Sequence, residues 1–218
     1  MPELFGHLFS SYTWKALIAF YENETAFEFR TIDAEHPDNF KRLEQCSPQR
    51  KFPLLIEGDT MLFESSVIIE YLQRNYPGAA IFIPADFDKA LEVRMLDRFF
   101  DNYVMTPMQN IVADFMRRPE DRDVTTVEQA KAMLQRSYAW LDGRLKDRQF
   151  ACGDSFSLAD CAAAPSLFYA DWVMDIPTTF TTLRAYRARL LERPTVKRCV
   201  DEARPYRKLF PPGAPERD

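Results

Sequence analysis

The order of secondary-structure patterns along the chain constrains its fold more than any other feature. Patterns typical of strands and helices alternate through the first third of the sequence, and strand patterns then disappear. The change falls near residues 77–88, where the segment YPGAAIFIPADF concentrates proline and glycine. This arrangement predicts a mixed α/β domain over residues 1–78, a linker over residues 79–88 and an all-helical domain over residues 89–218.

The first domain is expected to contain four strands and two helices. The segments ELFGHL and AFEFRTID are typical of strands, and residues 12–21 between them have helical spacing. A polar, proline-bearing stretch without a periodic pattern follows. FPLLIEGDTMLFES then predicts two strands joined at Gly58-Asp59, and SSVIIEYLQRNYPG predicts a helix that stops at Pro77-Gly78. The order is therefore β-α-β, an unassigned segment, and β-β-α.

A proline interrupts the first helical run of the second domain. Apolar residues keep helical spacing through residues 88–116, and Pro107 lies inside that run. Because its nitrogen cannot donate to the carbonyl of Tyr103, we expect a kink there. The cost is about 3 kcal/mol if nothing compensates for the lost bond.

Two capping boxes predict where later helices begin. In TTVEQAKAMLQRSYAWLDGRL, Thr125 is the capping residue and Glu128, three residues later, is its partner. In SLADCAAAPSLFYADW, the corresponding pair is Ser157 and Asp160. Further amphipathic stretches lie near residues 179–193 and 195–203. These patterns fill the rest of the chain with helices.

Composition and charge exclude several classes of partner. The 218 residues, 46% hydrophobic and 28% charged, suffice for a buried core. The net charge is −5, from 33 acidic and 28 basic residues, so we expect no binding to nucleic acid or to an anionic membrane. No apolar run is long enough to span a bilayer, and the N-terminal segment lacks the pattern of a secretory signal.

The four cysteines are scattered without any C-x-x-C pair, at Cys46, Cys152, Cys161 and Cys199. This spacing is not that of a metal site, and a chain of this length does not need a disulfide framework. We therefore expect reduced thiols, no bound metal and a cytoplasmic location.

Adjacent serines, Ser10 and Ser11, lie where the first strand gives way to the first helix. A serine at this point caps the helix by accepting a hydrogen bond from a first-turn amide. A helix N-terminus also attracts anions, so a hydroxyl there can help to hold one. The turn alone does not decide between these roles.

Two other short segments of the first domain also have ordinary structural explanations. Pro53 opens a strand in KFPLL, where proline is permitted. In FESSVIIEYL, Ser65 is placed to cap the helix and Glu64 to remain solvated.

Taken together, these pieces resemble the cytosolic glutathione transferases. ESSVIIEYL is similar to the family's E-S-x-x-I-x-x-Y-L signature, and SLAD to the capping motif of its second domain. SSYTWKALIAF is closest to the S-S-C-x-W-R-V-R-I-A-L pattern of the serine-type, zeta-like branch, and TPMQN to that branch's Q-P-L-Q-N. The resemblance covers nearly the whole chain and implies a thioredoxin-like N-terminal domain followed by an all-helical domain.

The resemblance also implies roles for the residues around the first turn. Ser10 would direct its hydroxyl at the sulfur of glutathione. Ser11 is a neighbouring helper, and both Ser11 and Tyr12 are alternative candidates for the sulfur contact.

The remaining glutathione contacts would come from the other two pieces. The backbone of Phe52, held by a cis bond to Pro53, would pair with the cysteinyl unit. Glu64 would take the γ-glutamyl ammonium and Ser65 its carboxylate, while Lys51 is placed to reach the glycyl carboxylate.

The electrophile would lie in the cleft between the domains, the usual place for a small-molecule site. The expected wall comes from the first turn and the kinked helix: Phe9, Tyr12, Tyr103, Thr106 and Asn110.

The implied activity is attack of the glutathione thiolate on a small hydrophobic electrophile, typical of detoxification, by a two-fold homodimer. Two alternatives stay open. One is a glutathione-dependent isomerase of the maleylacetoacetate kind, and the other is a non-catalytic partner-binding protein such as stringent starvation protein A. Tyr12 and Lys15 stand where the zeta pattern has cysteine and arginine, which weakens the isomerase alternative.

Overall fold

The structure, a computed structural model, describes residues 1–218. Four short strands form one sheet: β1 (Glu3–Gly6), β2 (Glu28–Thr31), β3 (Leu54–Glu57) and β4 (Thr60–Phe63). Their order is β2-β1-β3-β4, with β1 parallel to β2 and antiparallel to β3. β3 and β4 form the predicted hairpin, in which Gly58 adopts a φ of +56°, a backbone conformation that favours glycine.

Nine α-helices complete the fold: α1 (Ser11–Glu22), α2 (Pro37–Cys46), α3 (Ser65–Asn75), α4 (Phe87–Phe99), α5 (Thr106–Phe115), α6 (Val124–Arg144), α7 (Leu158–Val173), α8 (Thr181–Glu192) and α9 (Pro194–Ala203). The predicted mixed sheet followed by an all-helical part is confirmed. The stretch without a predicted element contains α2, in which only Leu43 is fully buried, so its apolar stripe is short. None of the helices combines the length and the apolar character needed to cross a lipid bilayer.

The predicted capping box at the start of α6 is wrong. Asp123 caps this helix, and its carboxylate accepts from the N–H of Thr126 at 3.1 Å. Thr125 therefore lies inside the first turn. Aspartate is a somewhat better cap than threonine, so the helix begins earlier than the box predicts.

The capping box at the start of α7 is confirmed. Asp160 accepts from the N–H of Ser157 at 2.9 Å, while its other oxygen accepts from Ala151 N–H at 2.8 Å and from the Tyr186 hydroxyl at 2.7 Å. The carboxylate is fully buried, so these donors replace the water that it loses.

A π-helical segment, Phe100–Met105, joins α4 to α5 immediately before Pro107. The N–H of Thr106 donates five residues back instead of four. The carbonyl of Tyr103, which the proline deprives of its usual donor, accepts instead from Ser137 Oγ in α6 at 2.8 Å. Two features therefore accommodate the proline: the helix has a wider, π-helical turn before it, and a side chain of a neighbouring helix supplies the missing hydrogen-bond donor.

Helix α1 lies at the centre of the molecule and is buried along most of its length. It packs against α3 on one side and against α7 on the other. One core of 45 buried residues, among them Leu4, Trp14 and Leu167, extends from the sheet into the helical part. The start of α1 is consequently held in a fixed position relative to both parts of the chain.

Replacing Ser137 with alanine should lower the free energy of unfolding by about 0.5–1.5 kcal/mol, because the carbonyl of Tyr103 would lose the side-chain donor that replaces the missing N–H of Pro107. Urea unfolding measures this change. The matched control is Ser155→Ala, since Ser155 is exposed, and it should change stability by less than about 0.5 kcal/mol. Equal stability of the two variants would contradict the assigned role of Ser137.

Candidate functional site

Two adjoining cavities lie between the sheet and the helical part. One, of about 410 Å³, is lined mainly by polar residues, and the other, of about 510 Å³, mainly by apolar ones. Tyr12, Lys51, Phe52 and Gln109 line both. A ligand with a polar body and an apolar end therefore has a continuous path from one cavity into the other.

The polar cavity brings together residues of the segments KFPLL and FESSVIIEYL, which lie far from the first turn in the sequence. The Phe52-Pro53 peptide bond is cis, and both residues line the cavity. Glu64 precedes α3 with a φ of +74°, and its carboxylate makes no capping bond. Ser65, predicted as the cap, is instead the first residue of α3 and is buried. The unbonded first-turn amides of α3 and the free Glu64 carboxylate give this cavity both donors and an acceptor.

Ser10 is the N-cap of α1, and its Oγ accepts from the N–H of Thr13 at 3.3 Å. The side chain thus has the capping role, and it also lines the apolar cavity. The two roles are compatible, because a hydroxyl carries one donor besides its acceptor lone pairs. The capping bond leaves the proton of Ser10 available for a ligand atom.

The turn before Ser10 is tied to neighbouring side chains. Trp14 Nε1 donates to the carbonyl of Leu8 at 2.6 Å, and the hydroxyl of Tyr169, from α7, donates to the carbonyl of Phe9 at 2.8 Å. Donors from α1 and α7 therefore fix the backbone that presents Ser10.

Ser11 and Tyr12 both reach the cavities. Ser11 is buried and lines the apolar cavity, whereas Tyr12 lies at the junction. Burial raises the pKa of the Tyr12 hydroxyl well above its usual value, and the carboxylates of Asp101 and Glu64 raise it further. Tyr12 is therefore a neutral donor in a region of negative potential.

The structure divides the residues predicted to line the electrophile cleft. Phe9 and Tyr12 line the apolar cavity, and Thr106 lines the polar one. Tyr103 and Asn110 line neither. Tyr103 is half exposed and its ring packs against Phe99 with 5.3 Å between centroids. The π-helical segment accounts for the difference, because its wider turn changes the face on which residues before and after it lie.

The apolar wall includes residues that the sequence reasoning missed. From α5 and its C-cap it takes Met108, Val112 and Met116, spaced four residues apart on one face. This spacing predicts an apolar helix face when the helical pattern is counted from Pro107 onward. Tyr169 and Phe210 come from distant parts of the chain and had no local signal.

A buried charge cluster lies beside the polar cavity. Lys15 is 1% exposed, and its Nζ lies 2.6 Å from Asp97 Oδ1 and 2.7 Å from Asp101 Oδ2. It also donates to Ser66 Oγ in the first turn of α3 at 2.9 Å. Arg98 contacts both carboxylates from the solvent side. The cluster fixes the first turn of α3 against α1 and α4, and it explains why a cation follows Trp14 in the sequence.

Lys15→Met should destabilise the fold by about 3–5 kcal/mol, because two buried carboxylates would lose their buried cation. Thermal or urea unfolding measures the loss. Lys131→Met, at an exposed position in α6, is the matched control and should leave stability within about 0.5 kcal/mol. A small effect of Lys15→Met would mean that Arg98 alone neutralises the pair.

Comparisons with known proteins assign the family. The models of the N-terminal and C-terminal domains of glutathione S-transferase match residues 4–80 and 125–189, together more than half of the chain. The chain belongs to the glutathione S-transferase family. The family-level prediction is thereby confirmed.

Similar proteins within the glutathione S-transferase family include bacterial and plant members. Glutathione S-transferase GstB of Escherichia coli (strain K12) is 26% identical over 210 residues, which cover 92% of this chain and 98% of that protein. A probable glutathione S-transferase of Nicotiana tabacum is 28% identical over 162 residues, covering 74% of this chain and 67% of that protein.

Among solved structures, a glutathione S-transferase from Methylobacillus flagellatus with GSH bound superposes with a TM-score of 0.82. It is 25% identical and covers 91% of this chain and 98% of that one. No group of three or more His, Cys, Asp or Glu side chains gathers around a metal position in the present chain.

Proposed function

We propose that this family member binds glutathione, stabilises its thiolate and joins the sulfur to a small hydrophobic electrophile. The observation that carries the proposal is the pair of adjoining cavities, one polar and one apolar, with the start of α1 at the edge of the apolar one. A tripeptide in the polar cavity would place its sulfur at the junction, and the electrophile would enter from the apolar side.

The polar cavity offers a partner for each charged group of glutathione. In the proposal, Glu64 takes the γ-glutamyl ammonium, and Ser65 with the amides of α3 takes the γ-glutamyl carboxylate. The backbone of Phe52, before Pro53, pairs with the cysteinyl unit. Lys51, which is exposed at the rim of both cavities, takes the glycyl carboxylate.

The sulfur is assigned to Ser10 on energetic grounds. Bringing a thiol from a pKa of about 8.5 to about 6.5 takes about 2.7 kcal/mol. A helix dipole supplies about 0.3–1 kcal/mol and a hydrogen bond to an anion about 1.5–3 kcal/mol. The dipole alone falls short, but the dipole and one hydroxyl suffice. Ser10 has a free proton, whereas the carboxylates that raise the pKa of Tyr12 would also disfavour a thiolate beside it.

We place the chain in the serine-type, zeta/theta-like part of the family because of the Ser10-Ser11 pair and Trp14. Isomerisation of the maleylacetoacetate kind is not favoured, because Tyr12 and Lys15 depart from that branch's pattern. A purely partner-binding role is not favoured either, since the polar cavity keeps Glu64 and Ser65.

Ser10→Ala should lower kcat for conjugation of glutathione to a chloronitrobenzene by about 10- to 100-fold. The lost hydroxyl should also raise the pKa of the bound thiol, which ultraviolet titration of the thiolate measures. Ser10→Thr keeps both the cap and the donor and should retain activity. Ser10→Asp keeps the cap without a donor and should be inactive.

Ser11→Ala is the companion variant that separates the neighbouring hydroxyls. It should leave the pKa of the bound thiol unchanged. Loss of thiolate in Ser11→Ala with full activity in Ser10→Ala would move the role to Ser11, and failure of the wild-type protein to bind a glutathione column would remove the proposed function altogether.

We further propose a two-fold homodimer. Helix α4 carries an exposed apolar stripe at Phe87, Leu91 and Met95, which are 70%, 49% and 50% exposed. Phe63 of β4 and Val67 of α3 are also exposed apolar residues. Large contiguous apolar patches mark association surfaces. In the proposed dimer the β4–α3 surface of one subunit covers the α4 stripe of the other.

Leu91→Glu should convert the dimer to a monomer, because the charge would be buried unpaired at the centre of the interface. Sedimentation equilibrium would then give the chain mass of 25.5 kDa instead of twice that value. Leu209→Glu, which adds the same charge at an exposed leucine after α9, should stay dimeric. A wild-type monomer would refute the assembly.

The proposed location is the cytoplasm. All four cysteines are free thiols, two of them buried in the core. Unpaired cysteines are typical of proteins from reducing compartments, and glutathione in its thiol form is the co-substrate that such a compartment supplies.

A further inference from the structure

The turn that carries Ser10 is closed by one residue through two different atoms. The carbonyl of His7 accepts from the N–H of Ser10 at 2.9 Å, and Nδ1 of its imidazole accepts from the N–H of Phe9 at 3.1 Å. The second bond joins a side chain to the amide two residues on, which is the geometry that Asn and Asp side chains use in turns. Asp33 makes the same bond to the N–H of Glu35 at 2.9 Å.

The bond from Phe9 determines the protonation state of His7. Because a backbone N–H can only donate, Nδ1 must be unprotonated, and a neutral ring then carries its proton on Nε2. The ring is partly buried and packs edge-on against Tyr206, with 4.7 Å between centroids. Burial lowers the pKa of His7 from its usual value of 6.5, although Asp33, itself paired with His36, acts in the opposite direction. The neutral form is thus the state present at neutral pH.

We propose that neutral His7 is a positioning residue whose Nδ1 holds the Phe9 amide and thereby sets the position of the Ser10 hydroxyl. This inference rests on the proposed function of Ser10. Two bonds already fix the carbonyls of the turn, from Trp14 to Leu8 and from Tyr169 to Phe9. The His7 side chain instead accepts from an N–H group of the turn, that of Phe9.

Protonation of His7 breaks this arrangement. A proton on Nδ1 turns the acceptor into a donor that faces the Phe9 N–H, so this bond is lost and the Phe9 amide is released. The sign follows from the direction of the pKa: positioning is complete at neutral pH and is lost as the pH falls through a value below 6.5. Ionisation of the bound thiol also fails at low pH, so two protonations should each lower activity on the acid side.

The test compares two amide substitutions that differ in where the oxygen lies. His7→Asn places Oδ1 near the position of Nδ1, can make the turn bond, and does not titrate. His7→Gln places its amide near the position of Nε2 and cannot make this bond. We expect His7→Gln to lower kcat roughly 3- to 10-fold with little change in the KM for glutathione, and His7→Asn to stay within about twofold of the wild type.

The pH profile supplies a readout that a merely structural role would not move. At saturating glutathione, the acid limb of kcat/KM for the electrophile should show two protonations in the wild type and one in His7→Asn. Equal activity of His7→Gln and His7→Asn, or an unchanged acid limb in His7→Asn, would overturn the inference.

A second measurement is independent of turnover. In NMR titration of the wild-type protein, the Phe9 amide resonance should shift with the same pKa as the His7 ring, and it should not titrate in His7→Asn. A Phe9 amide that ignores His7 protonation would overturn the inference. A wild-type protein without conjugation activity would overturn the proposed function instead, while the amide titration would still decide whether the imidazole holds the turn.

Discussion

The burial of α1 between α3 and α7 is the constraint on which the rest of the site depends. A helix packed on both sides cannot shift along its axis without disturbing the shared core, so its first turn stays at the mouth of the two cavities. The loop that leads into it is tied by Trp14 from α1 itself and by Tyr169 from α7. Because one donor comes from each half of the chain, the position of Ser10 depends on docking of the helical part against the sheet.

The features of the fold that the sequence predicts correctly have a local signal, although the capping box at Thr125 shows that a local signal can also mislead. The hairpin at Gly58-Asp59 and the capping box at Ser157 depend on neighbouring residues and are found correctly. Helix α2 has a local cause too, but Leu43 is its only fully buried residue, so its apolar pattern is short and weak. The π-helical segment before Pro107 is different in kind. It depends on Ser137 of another helix, and no pattern within one segment can contain that information.

The same distinction separates the two halves of the site. The polar cavity is assembled from residues at element ends, Phe52, Glu64 and Ser65, and such residues have sequence motifs because their backbone positions are specialised. The apolar wall is a face of α5 completed by Tyr169 and Phe210. Its apolar composition does not differ from that of any helix face buried in a core. The π-helical segment also changes which residues of the helix lie on that face. The polar half of the site is therefore easier to predict from the sequence than the apolar half.

Electrostatic balance explains how an anion can be held in a chain with a net charge of −5. The charges of Asp97 and Asp101 act on Tyr12, which lines both cavities, and without nearby cations they would oppose an anion there. Lys15, buried between the two carboxylates, and Arg98, outside them, neutralise most of this charge. Burial raises the pKa of Tyr12, and the residual negative potential of the carboxylates raises it further. Ser10, at the positive end of α1 and free to donate, is consequently the hydroxyl best placed to stabilise an anion.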